Sequence, residues 1–482
     1  MTVHEYDVVV VGAGVAGLSA ACAAAESGAR VAVVDRAPEA ESGGNTRYTE
    51  AFLRMGSLDE VADGLEDTVV DDFMGHPDPS VVNEAALAHD RRSALYRAHH
   101  VVDPDYVAEL AARAPETLAW MVGHGMRFDA LPTPFLTTST TRMAPVGGGL
   151  AILETMGKAA RGLGVEFHFE TTARSLLTSA DGVVGVLAKG PGGAVRLYGR
   201  VVLASGGYQG NNELMARYHG DRAMTTRPVA RGGNFNKGEG LEMALAVGAA
   251  TAGNFSLFHA EPVDPRSGEP EAAIFCFPYG ILVNTDGNRF VDEARGPIDA
   301  WYERTTRDIQ AQTRGMGWVV LDQGSLRVPN IGSGIRTDQP PVRGATIAEL
   351  AVRMGVPAAA LEATVEAYNA ACPEGHFDPL VPDGLATRGL VPAKSNWAQP
   401  LVEGPFVAYP IMAANVFTFG GLKTTAAAEV VDRDGSAIPG LWAAGEMTGL
   451  YYSNYTGSTS VLRGAVFGRI AGAAAARVGV PT

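Results

Sequence analysis

Two groups of residues in this chain have types and spacings suited to chemistry. The first lies near the start. It runs Asp7, four valines (Val8 to Val11), Gly12-Ala13-Gly14-Val15-Ala16-Gly17, a small-residue helix from Leu18 to about Ser27, an apolar run from Val31 to Val34, and Asp35. Strand, glycine turn, helix, strand and acid follow in the order that cradles a pyrophosphate. The glycines let the backbone turn close to the phosphates, and the helix start supplies free N–H groups and a partial positive charge. Asp35 stands where a carboxylate would accept from ribose hydroxyls. This predicts a dinucleotide held by Gly12, Ala13, Gly14, Ala16, Gly17 and Asp35. The second group is a set of scattered polar residues. Arg142 and Arg463 stand in glycine-rich surroundings, where a guanidinium could hold a carboxylate bidentately. The plainer alternatives are a solvated loop for Arg142 and a helix-end surface residue for Arg463.

Composition narrows the classes. The chain has 482 residues, 46% hydrophobic and 19% charged, with a formal net charge of −15. It has core enough for two or three globular domains. The acidic balance speaks against nucleic acid, whose phosphates would find no neutralising surface. The three cysteines, Cys22, Cys276 and Cys372, show neither a disulfide framework nor metal-ligand spacing. No metal is expected. No basic leader precedes the first strand, and no run of about 18 apolar residues occurs. The expected compartment is the cytoplasm, without stable membrane insertion.

The elements that must position these residues read as follows. Helices are expected over 79–98, 104–122, 150–161, 241–247, 297–312, 357–372 and 460–477. Strands are expected over 165–170, 183–189, 195–203 and 281–284, with a hairpin at Gly190-Pro191-Gly192-Gly193. From about Asn254 the texture shifts towards Pro, Gly and aromatic residues, and near Phe417 strand signals return. The fold class is therefore α/β: a discontinuous Rossmann-like domain, 1–253 with 417–482, and an inserted α+β cap over 254–416.

Several motifs stand in one order: Gly12 to Gly17 with Asp35, Ser42-Gly43-Gly44-Asn45-Thr46, Ala204-Ser205-Gly206-Gly207, Gly238-Glu239-Gly240, Asn284 to Glu293, and Ala443-Ala444-Gly445-Glu446 before a C-terminal helix. Together they resemble the FAD-dependent family of fumarate reductases, succinate dehydrogenase flavoproteins and 3-ketosteroid dehydrogenases. The segments Gly44 to Tyr48, Phe277 to Gly280 and Asn454 to Gly468 are most similar to its tricarballylate dehydrogenase branch. The resemblance implies FAD, with Arg36, Gly43, Gly44, Asn45, Thr46, Thr172, Ala173, Ala204, Gly206, Gly207, Glu239, Gly445, Glu446, Ser460 and Val461 along the cofactor. The family's covalently attaching His is absent from 36–46, which implies non-covalent FAD.

The fumarate-binding set does not carry over. The two substrate His positions hold Glu261, with His259 close by, and Phe417. The substrate Arg position holds Tyr455. The proton-donor Arg falls near Pro297, two residues from Arg295. Asn454 to Thr459 resembles instead the segment of 3-ketosteroid dehydrogenases in which a Tyr hydroxyl and a backbone N–H hold a ketone. That implies Tyr455 and the Thr459 N–H as carbonyl donors. Tyr279 is the candidate base, helped by Arg295, which could alternatively carry the proton itself or pair with Asp292 or Glu293. The expected activity is α,β-dehydrogenation of a small carboxylic or keto acid, with electrons leaving to a separate acceptor. Alternatives are an enoate or fumarate-type reductase and a 3-ketosteroid-dehydrogenase-like enzyme.

Overall fold

The computed structural model describes residues 2–65, 83–84, 87, 91–93, 102–137 and 143–477. Arg142 and most of the expected helix over 79–98 lie outside them. The main sheet has the path Glu429–Val431, Ala437–Ala443, Gly193–Leu203, Thr2–Val11, Val31–Val34, Glu166–His168. All neighbours on it are parallel except the first pair. Val8 to Val11 and Val31 to Val34 are buried on both faces, as strands between two helical layers must be. The long strand Gly193–Leu203 also pairs antiparallel with Gly182–Gly190, which pairs with Thr172–Ser179. The expectation of separate strands over 183–189 and 195–203 holds, while Thr172–Ser179 was not expected.

The register sets the site. Val11 stands opposite both Val34 and Leu203, and Ala443 opposite Leu203. The residues that follow these strand ends are Gly12, Asp35, Ala204 and, after Ala444, Gly445. Motifs hundreds of residues apart thus meet at the carboxyl edge of one sheet, where open α/β folds bind ligands.

Two small-residue helices, Val15–Glu26 and Ser460–Arg477, cross against each other. At Gly472 a Cβ would stand 2.0 Å from the Ala20 carbonyl oxygen, so this crossing needs glycine. The close approach fixes the N-terminus of the last helix beside that of the first.

A second sheet has the path Phe258–Val263, Phe406–Thr418, Met316–Leu321, Ile281–Asn284, and Val342–Gly344 and Thr226–Pro228 also pair with Phe406–Thr418. Its central strand is almost wholly buried, so it carries no period-two alternation to read. Thr226–Pro228 comes from ahead of residue 254 and joins this sheet in parallel. Helix Ile298–Gln310 packs across it, close to the expected 297–312, and Ala358–Ala371 agrees with the expected 357–372. Among the described residues no helix is long and apolar enough to cross a membrane.

Candidate active site

A narrow cleft runs along the carboxyl edge of the main sheet. Its lining includes Gly12, Ala13, Gly14, Ala16, Asp35, Arg36, Gly43, Gly44, Asn45 and Thr46 from the first half of the chain. Thr172, Ala173, Ala204, Gly206, Glu239, Gly445, Glu446, Ser460 and Val461 complete it. Of the expected cofactor residues only Gly17 and Gly207 do not line it. They lie behind the wall: a Cβ on Gly17 would stand 1.8 Å from the Gly12 oxygen, and one on Gly207 2.2 Å from Glu446 Oε1.

At one end of the cleft the Asp35 carboxylate accepts from the Ala13 N–H at 2.8 Å and the Ala37 N–H at 2.9 Å. Burial raises its pKa, against the pull of those two N–H groups. Each oxygen keeps a lone pair for a hydroxyl. Arg36 pairs with Glu239 at 2.9 Å and closes this end. Further along, the Thr46 hydroxyl accepts from the Val15 N–H at 3.2 Å, and the start of helix Val15–Glu26 faces the cleft.

At the other end Asn45 Nδ2 donates to the Val416 carbonyl at 2.5 Å, and Gln209 Nε2 does so at 3.3 Å. Glu446 accepts from the Thr418 N–H at 3.0 Å and from Asn236 Nδ2 at 3.2 Å. Burial raises its pKa. Asn45 Oδ1 and Gln209 Oε1 are buried with no partner among the described residues. Of the two only Asn45 lines the cleft, and its buried amide oxygen left in this way calls for a polar ligand beside it. The cleft therefore fits FAD, for which Asp35 would meet the ribose, the start of the first helix the pyrophosphate, and Asn45 and Glu446 the flavin side.

A second cavity, of roughly 550 Å³, opens from that end. Thr49, Val416, Phe417, Ser460 and Val461 line both spaces and form the seam. The strand pairing sets His259 directly opposite Phe417. The Phe417 ring lies 5.0 Å from that of Tyr455, and the His259 ring 4.3 Å from it. The Tyr455 hydroxyl is 3.2 Å from Ser460 Oγ and 3.3 Å from the Ser460 nitrogen. The first residue of the last helix thus places an N–H beside the Tyr455 hydroxyl at the seam. Arg54 fixes the loop that carries Tyr455, donating from its backbone N–H to the Ser458 carbonyl at 2.8 Å and from its side chain to that of Gly457 at 3.3 Å.

Several expected site residues stand elsewhere. Thr459 does not line the cavity: its hydroxyl is bound to the Tyr451 hydroxyl at 2.5 Å and the Thr456 carbonyl at 2.6 Å. The N–H facing Tyr455 is that of Ser460. Tyr279 is buried in the core of the second sheet, and its hydroxyl donates to the Pro379 carbonyl at 2.6 Å. Burial raises its pKa further, so it is not placed as the base. Arg295 is paired with Asp308 at 2.9 Å, not with Asp292 or Glu293, and lines neither space. Arg463 is fully buried and lines the cleft rather than the second cavity, donating to Thr448 and lying over the Tyr451 ring.

Glu261 does line the cavity, in a group with Glu271, Glu50 and Arg336. Arg336 is 2.9 Å from Glu50 and 3.9 Å from Glu271. Burial raises the pKa of Glu261, and burial together with Glu261 raises that of Glu271 well above the ordinary range. Such carboxyls favour folding most when protonated. Their contribution is full below the unfolded value, about 4.3, and is lost as pH rises through their folded values. Glu271→Gln should therefore melt above the wild type at pH about 8, and that gain should shrink to nothing near pH about 4. Melting curves at the two pH values check this, and an equal offset at both would refute it.

Sequence reasoning missed Tyr302, Glu303, Arg304 and Arg336. Tyr302 and Glu303 lie mid-helix with no motif around them. The available signal was polar residues on the inward face of an amphipathic helix, where Tyr302, Glu303, Thr305 and Thr306 are all buried.

Against known proteins, the family model described as "FAD binding domain" matches residues 7–462. The chain belongs to that family. It is 29% identical over 487 residues to a probable fumarate reductase, Ifc3, of Shewanella frigidimarina, covering 98% of this chain and 74% of that one. It is also 29% identical over 531 residues to a 4-oxocyclohexanecarboxylate 2-dehydrogenase of Sinomonas cyclohexanicum, covering 95% and 90%. The crystal structure of a 3-ketosteroid-Δ4-(5α)-dehydrogenase from Rhodococcus jostii in complex with 4-androstene-3,17-dione superposes with a TM-score of 0.71 at 26% identity, covering 98% and 97%. The family chain is an FAD-dependent oxidoreductase acting on CH–CH groups, built on the fold that the motif order led us to expect.

Proposed function

We propose that this enzyme is a dehydrogenase that introduces a C=C bond α,β to the carbonyl of a small keto acid or related ketone. The observation that carries this reading is the pair of donors at the seam, the Tyr455 hydroxyl and the Ser460 N–H. FAD, when bound, supplies the acceptor for a hydride leaving the β-carbon. The residues do the rest. A ketone oxygen that displaces the Tyr455–Ser460 contact takes two hydrogen bonds. These strengthen as α-proton removal puts negative charge on that oxygen, and the start of the last helix adds to them. Phe135, Phe275, Trp301 and Phe417 line an apolar wall that holds a ring and excludes water. Arg304, which also lines the cavity and lies over the Trp301 ring, would anchor a single carboxylate.

Arg336, another guanidinium in the cavity, is already paired with Glu50 at 2.9 Å and lies 3.9 Å from Glu271, which supports a keto acid over a dicarboxylate such as fumarate. The similarity to a 4-oxocyclohexanecarboxylate 2-dehydrogenase supports the same class. The similarity to a probable fumarate reductase favours the reverse reaction as the second reading. Dye-coupled turnover over a panel of cyclic keto acids, 3-ketosteroids, tricarboxylates and succinate discriminates among them. Turnover confined to keto acids or ketones is expected. Turnover of succinate or a tricarboxylate alone would refute the carbonyl reading.

A further inference from the structure

The dehydrogenase reading needs a base for the α-proton, and the expected base, Tyr279, is committed to the core. We infer that Tyr302 is the base and that it works through His259 and Glu303 as a proton relay. This rests on the dehydrogenase reading and extends it to residues that no sequence motif singles out.

The geometry is complete in itself. Tyr302 and His259 both line the cavity, and the Tyr302 hydroxyl is 2.9 Å from His259 Nε2. His259 Nδ1 is 3.1 Å from Glu303 Oε2, and Arg307 bonds the other oxygen of Glu303. As the ion-pair partner of Arg307, Glu303 only accepts, so Nδ1 carries the hydrogen. Nε2 is then the acceptor, and the Tyr302 hydroxyl donates to it. Tyr302 therefore presents lone pairs to the cavity while its own proton points at the unprotonated Nε2 of His259. Adjacent positions on one helix, 302 and 303, grip the two nitrogens of one ring. His259 also lies against the Tyr455 ring at 4.3 Å, so the relay borders the carbonyl donor.

The relay resolves a difficulty. Burial pushes the Tyr302 hydroxyl well above its ordinary range, so a standing tyrosinate is not available. Burial also lowers His259 to about 3, so the resting ring is neutral and holds the proton only transiently, with the Glu303 carboxylate against Nδ1 supporting the charge. In the step, the α-C–H bond breaks and its electron pair passes to the carbonyl oxygen, held by Tyr455 and the Ser460 N–H. The departing proton forms an O–H bond with Tyr302. The former Tyr302 proton forms an N–H bond with His259 Nε2. Glu303 faces the resulting imidazolium, and Arg307, 26% exposed, puts the outer end near solvent. The other charged or titratable groups facing this set are Glu261, Glu271, Asp299 and Tyr455. Burial holds Glu261 and Glu271 towards their neutral forms, so Glu303, against Nδ1, is the carboxylate that meets the transient cation. Tyr302 touches the substrate and is catalytic, whereas His259 and Glu303 act through it as positioning residues.

The test isolates proton transfer from oxidation. Holoenzyme in deuterium oxide is given a cyclohexanone whose β-carbons are fully methylated, so that no hydride can leave. Mass spectrometry follows deuterium entry at the α-carbons. Wild type is expected to exchange. Tyr302→Phe should exchange at least 100-fold more slowly while binding FAD normally by absorbance. His259→Gln keeps a hydrogen-bond acceptor but loses the basic nitrogen. It should slow exchange at least 10-fold at neutral pH, and the remaining exchange should climb with pH more steeply than in the wild type, because only a tyrosinate can then take the proton. A structural role for His259 would leave the shape of that pH profile unmoved. Wild-type exchange in Tyr302→Phe, or an unchanged profile in His259→Gln, overturns the relay while the carbonyl reading stands. No exchange by wild type overturns both.

Discussion

Tyr455→Phe should bind FAD as the wild type does and lose turnover by on the order of 100-fold, with at least a tenfold loss as the minimum. The size follows from the role. One donor aimed at an oxygen that becomes anionic is worth about 3 kcal/mol when the site excludes water. The substitution keeps the ring against His259 and Phe417 and removes only the hydroxyl bonded to Ser460. Because the donor acts most strongly on the charged state, kcat should fall with little change in KM. Steady-state kinetics on a matched ketone checks this. Wild-type kcat in the variant would remove Tyr455 from the chemistry. A rise in KM alone would make it a binding residue.

Gly12→Val should yield folded protein that purifies colourless. Gly12 has φ 109°, a region closed to a β-branched residue, and a Cβ there would stand 2.3 Å from the Ala204 carbonyl oxygen. That oxygen belongs to the strand end meeting Val11 at the carboxyl edge, so the glycine turn must move off the phosphate position. The cost falls at the cleft because strand Thr2–Val11 ends before it. Far-UV circular dichroism with flavin absorbance separates the outcomes. Native-like dichroism with no yellow colour is expected. A yellow, fully loaded variant would contradict the placement of the pyrophosphate at this turn.

The nucleotide half of the site was legible in the sequence because its determinants are local. Gly12 to Gly17 encode a turn whose shape needs no distant partner, and Asp35 closes the next strand of the same unit. Register then brought Ala204 and Gly445 to the same edge, and the motif order was enough to expect them there. The substrate half is written in long-range packing. His259 meets Phe417 only because two strands of the second sheet pair, and it meets Tyr302 and Glu303 only because helix Ile298–Gln310 lies across that sheet. Nothing near Tyr302 in sequence marks it. Conversely, Tyr279 and Arg295 sat beside recognisable motifs, yet the fold gave Tyr279 a core carbonyl and Arg295 a neighbouring Asp308. Tyr455 was found because it replaces an expected arginine, though its partner proved to be the Ser460 N–H, one residue past the expected Thr459.

The central claim is that the seam oxidises a saturated ketone next to its carbonyl. Anaerobic stopped-flow mixing of oxidised holoenzyme with a saturated cyclic keto acid, with no other donor present, tests it most directly. The account predicts that the yellow flavin absorbance bleaches in a single turnover and that the α,β-unsaturated keto acid appears in equal amount. Flavin that stays oxidised with every saturated ketone, yet reoxidises from its reduced form on addition of an enoate, would contradict it and make the enzyme a reductase.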